Sequence, residues 1–291
     1  MPQVSPVRNA PPPRLMGTSH IFTIAGFSKP AGVTVDGDGY LYVADHGKSE
    51  IIVVNSDGKR VESIGRFGWR EGEFDRPADV ALDAQLRLYI ADSGNNRLQR
   101  FSLVNRDFGT VVGSTALLLN EPQGVATDIR GYIYIADTWN HRILKVDPLG
   151  RLQMEIGGPG LFSRPQSVMV DASDNIYVSD TGNHRIQKLD FSGSQVAIWG
   201  EEGTGKGQFR NPAGISHDRF RNIYIADQGN HRIQVLSPDG GYLAEFGQQF
   251  LDDPVDVAID RDLHVYVTDM SAGDIEVFRM IYEMAEGVRK E

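Results

Sequence analysis

Short apolar runs separated by polar turns follow one another along almost the whole chain. In the segment that starts at Gln166, the runs QSVMVD, IYVSD, RIQKLDF and QVAIWG are divided by ASDN, TGNH and SGS. Runs of this length, rich in β-branched and aromatic residues and bounded by Gly, Asn, Asp and Ser, are typical of strands joined by tight turns. The pattern therefore predicts an all-β protein made of antiparallel hairpins.

The same pattern returns six times at a nearly constant interval. Prolines separated by 47, 45, 43, 47 and 42 residues begin the units, at Pro30, Pro77, Pro122, Pro165, Pro212 and Pro254. An aspartate stands six positions after each proline, a tyrosine twelve positions after it and a second aspartate fifteen positions after it. Four short strands in a unit of about 45 residues are typical of a propeller blade. We therefore predict a six-bladed β-propeller with four-stranded antiparallel blades.

The sixth unit lacks its last strand. After Pro254 the sequence supplies VDVAID, HVYVTD and DIEVFRM, while an outer-strand pattern, HIFTIAG, stands before the first unit. We predict that residues 20–26 complete the sixth blade, because this pairing closes the ring and removes an open sheet edge. The expected organisation is a disordered, Pro-rich N-terminal segment over residues 1–19, the propeller over 20–280 and a charged tail over 281–291.

Composition narrows the classes of function. The formal net charge of −10 disfavours nucleic acid as a partner, since phosphate binding needs a basic surface. The chain has no cysteine, and no run approaches the roughly 20 apolar residues that a membrane span requires. We expect a soluble, monomeric propeller without membrane insertion. Five prolines in the first thirteen positions favour a tether of an exported bacterial protein, periplasmic or extracellular, whose signal has been removed; a cytoplasmic location is the alternative.

The loop after the second strand is repeated almost word for word. In units two to five it reads SGNNRLQRF, TWNHRILKV, TGNHRIQKL and QGNHRIQVL, each preceded by YIAD or YVSD. This loop resembles the NHL repeat, named for Asn-His-Leu, and the resemblance covers Phe22 to Met280. It implies the propeller fold but leaves function open, because the family includes scaffolds that bind protein or RNA, the sensor domain of a bacterial kinase and an amidating lyase.

The resemblance also bears on metal chemistry. The family's lyase places zinc-binding histidines directly after the repeat proline, and the six residues found there in this chain include no histidine: Ala31, Ala78, Gln123, Gln166, Ala213 and Val255. Zinc held by three imidazoles at that level is thus excluded. Related six-bladed hydrolases hold one metal at the channel mouth with Glu, Asp and Asn. The nearest candidates for Ca²⁺ or another divalent cation are Asp79, Glu121, Asn211, Asp253 and Asp256, residue types that are equally common as turn caps.

Two units depart from the repeat in charge. Units two to five carry an arginine five positions after the second aspartate, at Arg97, Arg142, Arg185 and Arg232, whereas units one and six carry Glu50 and Asp274 there. We expect the arginines to form ion pairs that fasten the loop. Where they are missing, we expect an acidic sector that includes Asp45, Glu50 and Asp274 and could receive a basic partner or a cation.

The long loops supply the remaining candidates for partner contact. Arg66, Trp69 and Arg70 lie between units one and two, and Arg210 lies between units four and five. Trp69 and Trp139 have no counterpart in other units, and combined Trp and Arg are enriched both in protein hot spots and in RNA stacking platforms. We predict a non-enzymatic protein-binding scaffold or sensor that uses the loop face around the channel mouth, with no required cofactor. A metal-dependent lyase or hydrolase and single-stranded RNA binding are the alternatives.

Overall fold

The computed structural model describes residues 13–158 and 160–283. Its strands form six four-stranded antiparallel sheets, each sheet being one blade of a propeller, which confirms the predicted fold. Blades one to three contain β2 (Pro30–Val35), β3 (Leu41–Asp45), β4 (Glu50–Val54) and β5 (Arg60–Ile64); β6 (Pro77–Leu82), β7 (Arg87–Asp92), β8 (Arg97–Ser102) and β9 (Phe108–Val112); β10 (Pro122–Thr127), β11 (Ile133–Asp137), β12 (Arg142–Val146) and β13 (Leu152–Gly157). Blades four to six contain β14 (Ser167–Val170), β15 (Ile176–Asp180), β16 (Arg185–Leu189) and β17 (Gln195–Trp199); β18 (Pro212–His217), β19 (Ile223–Asp227), β20 (Arg232–Leu236) and β21 (Tyr242–Phe246); β22 (Pro254–Ile259), β23 (His264–Asp269), β24 (Asp274–Glu283) and β1 (Arg14–Ala25).

The ring closes through the two ends of the chain, as the sequence predicts. β1 pairs antiparallel with β24, with Ala25 opposite Asp274 and Arg14 opposite Glu283. The predicted boundaries were too narrow, because β1 starts at Arg14 rather than His20 and β24 continues to Glu283 rather than ending at Met280. Residues 14–19 are therefore strand and not a disordered segment. Residues 1–12 and 284–291 lie outside the described residues.

β1 and β24 extend beyond their predicted ends because residues in these extensions pack against the core. The proline-rich sequence before β1 does not indicate this packing. Leu15 and Tyr282 pack against the hydrophobic cluster between blades five and six. The Tyr282 hydroxyl also donates to Asp218 Oδ2 at 2.5 Å. Proline lacks an N–H for the ladder, so the strand begins directly after Pro13.

The repeated aspartate and tyrosine of each unit make one shared turn. Asp83 Oδ1 accepts hydrogen bonds from Gln85 N and Arg87 N, both at 2.9 Å, while the Tyr89 hydroxyl donates to Asp83 Oδ2 at 3.3 Å. The same three contacts recur in the other five blades, which confirms the turn-capping role that the sequence pattern indicates. The turns therefore fix the connection between the first and second strands of every blade.

The core lies between neighbouring blades rather than inside any one of them. Tyr89 and Leu98 of blade two, for example, pack in one buried cluster with Val125 and Ile135 of blade three. The first strands of all six blades surround a central channel. Helical structure in the described chain is limited to 3-10 turns between the second and third strands of blades two to five, at Ser93–Asn95, Thr138–Asn140, Thr181–Asn183 and Gln228–Asn230. None of the helices described is long and apolar enough to cross a membrane.

Candidate functional site

One carboxylate in each blade fastens the loops of the channel-mouth face, which is the face carrying the loops between blades and the loops between second and third strands. Asp92 Oδ1, for instance, accepts a hydrogen bond from Asp75 N at 2.8 Å, and Asp227 Oδ1 accepts one from Arg210 N at 2.7 Å. The six equivalent carboxylates are fully buried: Asp45, Asp92, Asp137, Asp180, Asp227 and Asp269. A buried carboxylate needs such donors, so these aspartates hold the architecture.

The four arginines pair with these carboxylates, as the sequence predicts. Their Nε atoms lie 2.6 to 2.8 Å from the aspartate Oδ2 atoms in blades two to five. Arg97 also donates from Nη1 to Trp69 O and from Nη2 to Arg70 O, both at 2.7 Å. A planar guanidinium can bind a carboxylate and several carbonyl oxygens at once. Each arginine therefore clamps the loop that arrives from the preceding blade.

The histidines of the repeated loop are structural as well. His141 and His184 adopt left-handed backbone conformations at the ends of their 3-10 turns, with φ of 56° and 55°. His141 Nδ1 accepts a hydrogen bond from Arg164 N at 3.0 Å, and His184 Nδ1 accepts one from Asn211 N at 3.1 Å. Each of these imidazoles thus joins its blade to the next one.

In blade one, which lacks the arginine, a lysine lies near the buried carboxylate instead. Asp45 is fully buried and accepts hydrogen bonds from Ser28 N and Lys29 N at 3.0 and 3.2 Å. The Lys48 ammonium lies 3.7 Å from the same carboxylate, and Glu50 accepts a hydrogen bond from the Ser63 hydroxyl. Asp45, which the sequence predicts as a partner contact, has a buried carboxylate that faces the interior of its own loop.

Blade six has no arginine or lysine at the equivalent place. Asp269 accepts hydrogen bonds from three backbone N–H groups, those of Asp252, Asp253 and Ala272. Burial raises the pKa of Asp274 to about 6, and the nearby charges of Glu276 and Asp269 add to that effect. Asp274 Oδ1 is buried without a hydrogen-bond partner among the described residues.

In blade six, the imidazole of His20, which belongs to the closing strand, contacts one of these acids. Its Nε2 lies 2.5 Å from Glu276 Oε2, and the Thr23 hydroxyl donates to the same oxygen at 2.9 Å. Glu276 is buried, and Asp274 is only partly exposed. Of the predicted acidic sector, Asp45 is buried in blade one and Asp274 is partly buried in blade six, where it pairs with the strand that closes the ring.

The channel contains two further carboxylates, which belong to the blades on either side of blade one. Asp79 Oδ2 accepts a hydrogen bond from Val125 N at 2.8 Å, and Asp256 Oδ2 accepts one from Val33 N at 2.9 Å. Both residues line a channel cavity of about 240 Å³. A Cβ atom on Gly32 would lie 2.3 Å from Asp79 Oδ1, and one on Gly214 would lie 2.2 Å from Asp256 Oδ1. The two glycines make room for the two acids.

Burial makes both acids weak. It raises the pKa of Asp256 to about 7, and it raises the pKa of Asp79 well above its ordinary value, with the charge of Asp256 adding to the effect. Two carboxyl groups that interact in this way titrate as a pair. Burial thus favours the protonated form of both groups, and a protonated carboxyl group can both donate and accept hydrogen bonds inside the channel.

The channel mouth has an apolar half and an amide half. The residues that follow the repeat prolines all line the channel cavity: Ala31, Ala78, Gln123, Gln166, Ala213 and Val255. Gln228 and Met270, from the loops after the second strands, also line it. Three glutamines thus gather beside blades three to five, whereas the rest of the lining consists mainly of alanine, valine and methionine, together with His46 and the carboxyl groups of Asp79 and Asp256.

A second cavity of about 360 Å³ opens beside the amide half, and we call it the Trp139 pocket. Glu121, Trp139, Arg164 and Asn211 line it, together with the glutamines Gln123, Gln166 and Gln228 that also line the channel. The Trp139 indole Nε1 donates to Glu121 Oε2 at 2.9 Å, and the Arg164 guanidinium lies 5.9 Å from the centre of the indole. Trp139 remains 49% exposed, so the ring is held in place yet open to a ligand.

The other contact candidates lie on the outer loop of blade two and at blade five. Trp69 is 72% exposed, and the Arg66 side chain is also exposed and pairs with Glu73 at 2.9 Å. Arg70 and Arg210 are exposed as well. Arg76 joins this loop to the Trp139 pocket, because its Nη2 lies 3.9 Å from Glu121 Oε1.

The five residues predicted as metal ligands are not brought together. Only Asp79 and Asp256 line the channel cavity. Glu121 is engaged by Trp139 and Arg76, and Asp253 accepts hydrogen bonds from Gln228 Nε2 at 2.8 Å and from the Ser271 hydroxyl at 3.3 Å. In the part of the chain that the structure describes, no three His, Cys, Asp or Glu side chains are grouped so that they could hold a metal ion.

The sequence interpretation missed the glutamines as site residues. Gln123 and Gln166 occupy positions where three other blades have alanine, and this departure was visible in the sequence. Gln228 comes from a different loop of a different blade, so its place beside Gln166 depends on the ring geometry. Arg164 has a left-handed backbone with φ of 48°, a conformation that sequence patterns do not reveal for arginine.

Comparisons with known proteins agree with this fold. The family model of the NHL repeat matches residues 74–101, 119–146 and 162–189. No curated protein matches the sequence significantly. A gluconolactonase from Xanthomonas campestris is similar in structure, with a TM-score of 0.73 and 17% identity over 94% of this chain and 99% of its own.

Two further solved structures widen the range of functions carried by this architecture. A catalytically inactive virginiamycin B lyase from Staphylococcus aureus, solved with quinupristin, has a TM-score of 0.65 and 16% identity over 93% of this chain and 89% of its own. A nidogen/laminin complex gives a TM-score of 0.65 and 19% identity over 79% of this chain and 85% of that chain. At such identities the likeness establishes the fold alone.

Proposed function

We propose that this six-bladed β-propeller, three of whose repeats match the NHL family model, is a non-enzymatic scaffold that binds a protein partner on the loop face around its channel mouth. One observation carries the proposal. Trp139 replaces the glycine of the repeat, and its partly exposed indole lies beside the channel mouth in a pocket continuous with the channel. Exposed Trp69 extends the same face over blade two. Tryptophan is among the residues that most often dominate the binding energy of protein interfaces.

The charge pattern supports a protein partner over RNA. The arginines of the repeat form internal ion pairs with buried aspartates, so they do not form a positively charged surface that could bind phosphates. The formal net charge is −10, which repels a polyanion at long range. Binding of a protein partner does not require a basic surface.

Affinity capture from an extract of the source cells tests the scaffold role. We expect Trp69→Ala combined with Trp139→Gly to reduce capture of the partner by about tenfold or more, because two interface anchors are lost. Phe191→Ala is the matched control, since Phe191 is 67% exposed in the turn between β16 and β17, on the opposite face. Equal capture by the wild type and the double variant would reject the proposal.

A second candidate function, acid–base catalysis in the channel, is favoured by the Asp79 and Asp256 pair. Weakly acidic carboxyl groups in a cavity are typical of catalytic acids and bases. The chain would act there through its own carboxyl groups. Turnover of gluconolactone or quinupristin by the wild type, lost in Asp79→Asn and Asp256→Asn, would support this role. Absence of turnover with both compounds would leave the scaffold as the better explanation.

A further inference from the structure

The Trp139 pocket has the chemistry of a peptide-binding subsite, and the reasons begin with the position of Trp139 itself. In blades one, two, four and five the equivalent residue is glycine: Gly47, Gly94, Gly182 and Gly229. A Cβ atom on Gly94 would lie 2.4 Å from Asp75 Oδ2, and one on Gly182 would lie 2.4 Å from Ser163 Oγ. The repeat therefore leaves little room for a side chain at this place, and blade six carries only the small Ser271 there.

Blade three accommodates the tryptophan by loosening a backbone contact. The hydrogen bond from Trp139 N to Asn120 O is 3.2 Å long, whereas the equivalent bonds from Gly94, Gly182 and Gly229 are each 2.8 Å. Packing of the repeat does not require this tryptophan, because four of the other five blades carry glycine at the same position. A side chain retained against such a local cost is typical of a binding site.

The walls of the pocket are fixed by hydrogen bonds to the next blade. The Thr138 and Thr181 hydroxyls donate to Pro165 O and Pro212 O at 2.8 and 2.7 Å. Glu121, which accepts a hydrogen bond from the indole N–H, and Arg164, whose guanidinium lies near the ring, carry opposite charges. The pocket is thus rigid and close to neutral, so it gives no net attraction to a charged ligand.

The free polar groups of the pocket match a peptide unit. Gln228 Nε2 donates to the Asp253 carboxylate, which accepts only, so Gln228 Oε1 remains as an acceptor on the other side of the amide. The Gln166 side chain makes no hydrogen bond to any of the described residues, and its amide offers both a donor and an acceptor. An acceptor beside a donor complements the N–H and C=O of an extended backbone.

The apolar half of the channel mouth supplies the other requirement. Val255, Met270 and Ala213 line the same cavity as Gln166 and Gln228. A peptide whose backbone lies on the glutamines can therefore place one aliphatic side chain in the mouth and a flat apolar surface, such as a proline ring, on Trp139. We propose that the Trp139 pocket and the adjoining mouth bind an extended, uncharged peptide segment with aliphatic and proline residues. This inference rests on the proposed function, because it specifies the part of the partner that the scaffold binds.

Panning a phage library of random dodecapeptides against the immobilised protein tests the proposal. We expect enrichment of uncharged sequences rich in proline and aliphatic residues. A synthetic consensus peptide, blocked at both ends, should lose about tenfold or more in affinity for Trp139→Gly and for Gln166→Ala. Both changes install residues that other blades already carry at the same positions, so the fold is expected to persist; circular dichroism and thermal unfolding check this.

Matched controls separate this inference from the scaffold proposal. Trp69→Ala and Phe191→Ala should leave the affinity for the consensus peptide within about twofold, since neither residue lines the pocket. No enrichment, a charged consensus or unchanged affinity in Trp139→Gly would overturn the peptide site. If cellular capture depends on Trp69 and not on Trp139, the scaffold proposal stands and the peptide site fails. If the variant with both Trp69→Ala and Trp139→Gly loses neither capture of the partner nor affinity for the consensus peptide, the scaffold proposal is rejected and the peptide site is rejected with it.

Discussion

Blades five and six bury the same carboxylate in two different environments. In blade five, Asp227 Oδ2 contacts Arg232 Nε at 2.8 Å and Gln234 Nε2 at 3.0 Å. In blade six, Asp269 keeps the backbone donors, but acids replace the two cognate side chains, at Asp274 and Glu276. The comparison shows that backbone N–H groups are the constant support of this carboxylate, while the guanidinium is an added clamp on the neighbouring loop. Blade six replaces that clamp by the closing strand and its His20 contact.

The largest expected effect comes from removing the carboxylate charge in each blade. Asp227→Asn removes the buried counter-ion of the Arg232 guanidinium and leaves it only the partly exposed Glu245 carboxylate, which we expect to lower the free energy of unfolding by about 3 kcal/mol. Asp269→Asn leaves no buried arginine or lysine unpaired, so we expect a loss of about 1 kcal/mol. Urea unfolding followed by tryptophan fluorescence measures both. Equal losses in the two variants would mean that the arginine contributes nothing specific, and the contrast between the blades would disappear.

A smaller effect concerns the pH dependence of blade six. The folded pKa of Asp274, about 6, lies above its unfolded value, so its protonated form stabilises the fold at low pH, and that contribution is lost as the pH rises through 6. We expect Asp274→Asn to raise the free energy of unfolding at pH 8 by about 1 kcal/mol, allowing for partial exposure, and to change it little at pH 4. Glu155→Gln, an exposed partner of Arg142 in blade three, serves as the control without this pH dependence. A variant that is less stable than the wild type at pH 8 would contradict the assignment.

The smallest expected effect is that of added calcium. In blades two to five an arginine already pairs with the buried carboxylate. Within the described chain, the acids of blade six and of the channel do not form a group of three that could hold a metal ion. We expect 1 mM Ca²⁺ to raise the Tm by less than about 1 °C in a thermal melt. An increase of several degrees would reveal a cation site. Its loss in Asp79→Asn would locate that site in the channel, and its loss in Asp274→Asn would locate it in blade six.

Some site residues were predictable and others were not, for a physical reason. Trp139 was visible because it replaces a glycine in an otherwise regular repeat. The burial of Asp45 was not visible, since a carboxylate at a strand end looks the same in sequence whether it meets solvent or the backbone N–H groups of Ser28 and Lys29. The meeting of Asp79 and Asp256 in one cavity was equally hidden, because residues far apart in the chain become neighbours only when the ring closes.

The sequence by itself determined the six blades, their four-stranded plan and the closure through the N-terminal strand. It could do so because each repeat places the same proline, aspartates and tyrosine at fixed intervals, and those residues make local hydrogen bonds that any single unit requires. Only the tertiary structure decided how far β1 and β24 extend, which acids are buried and which amides share the mouth with Trp139. These features arise from contacts between blades, where the packing partner, the exclusion of water and the curvature of the ring set the environment of each side chain.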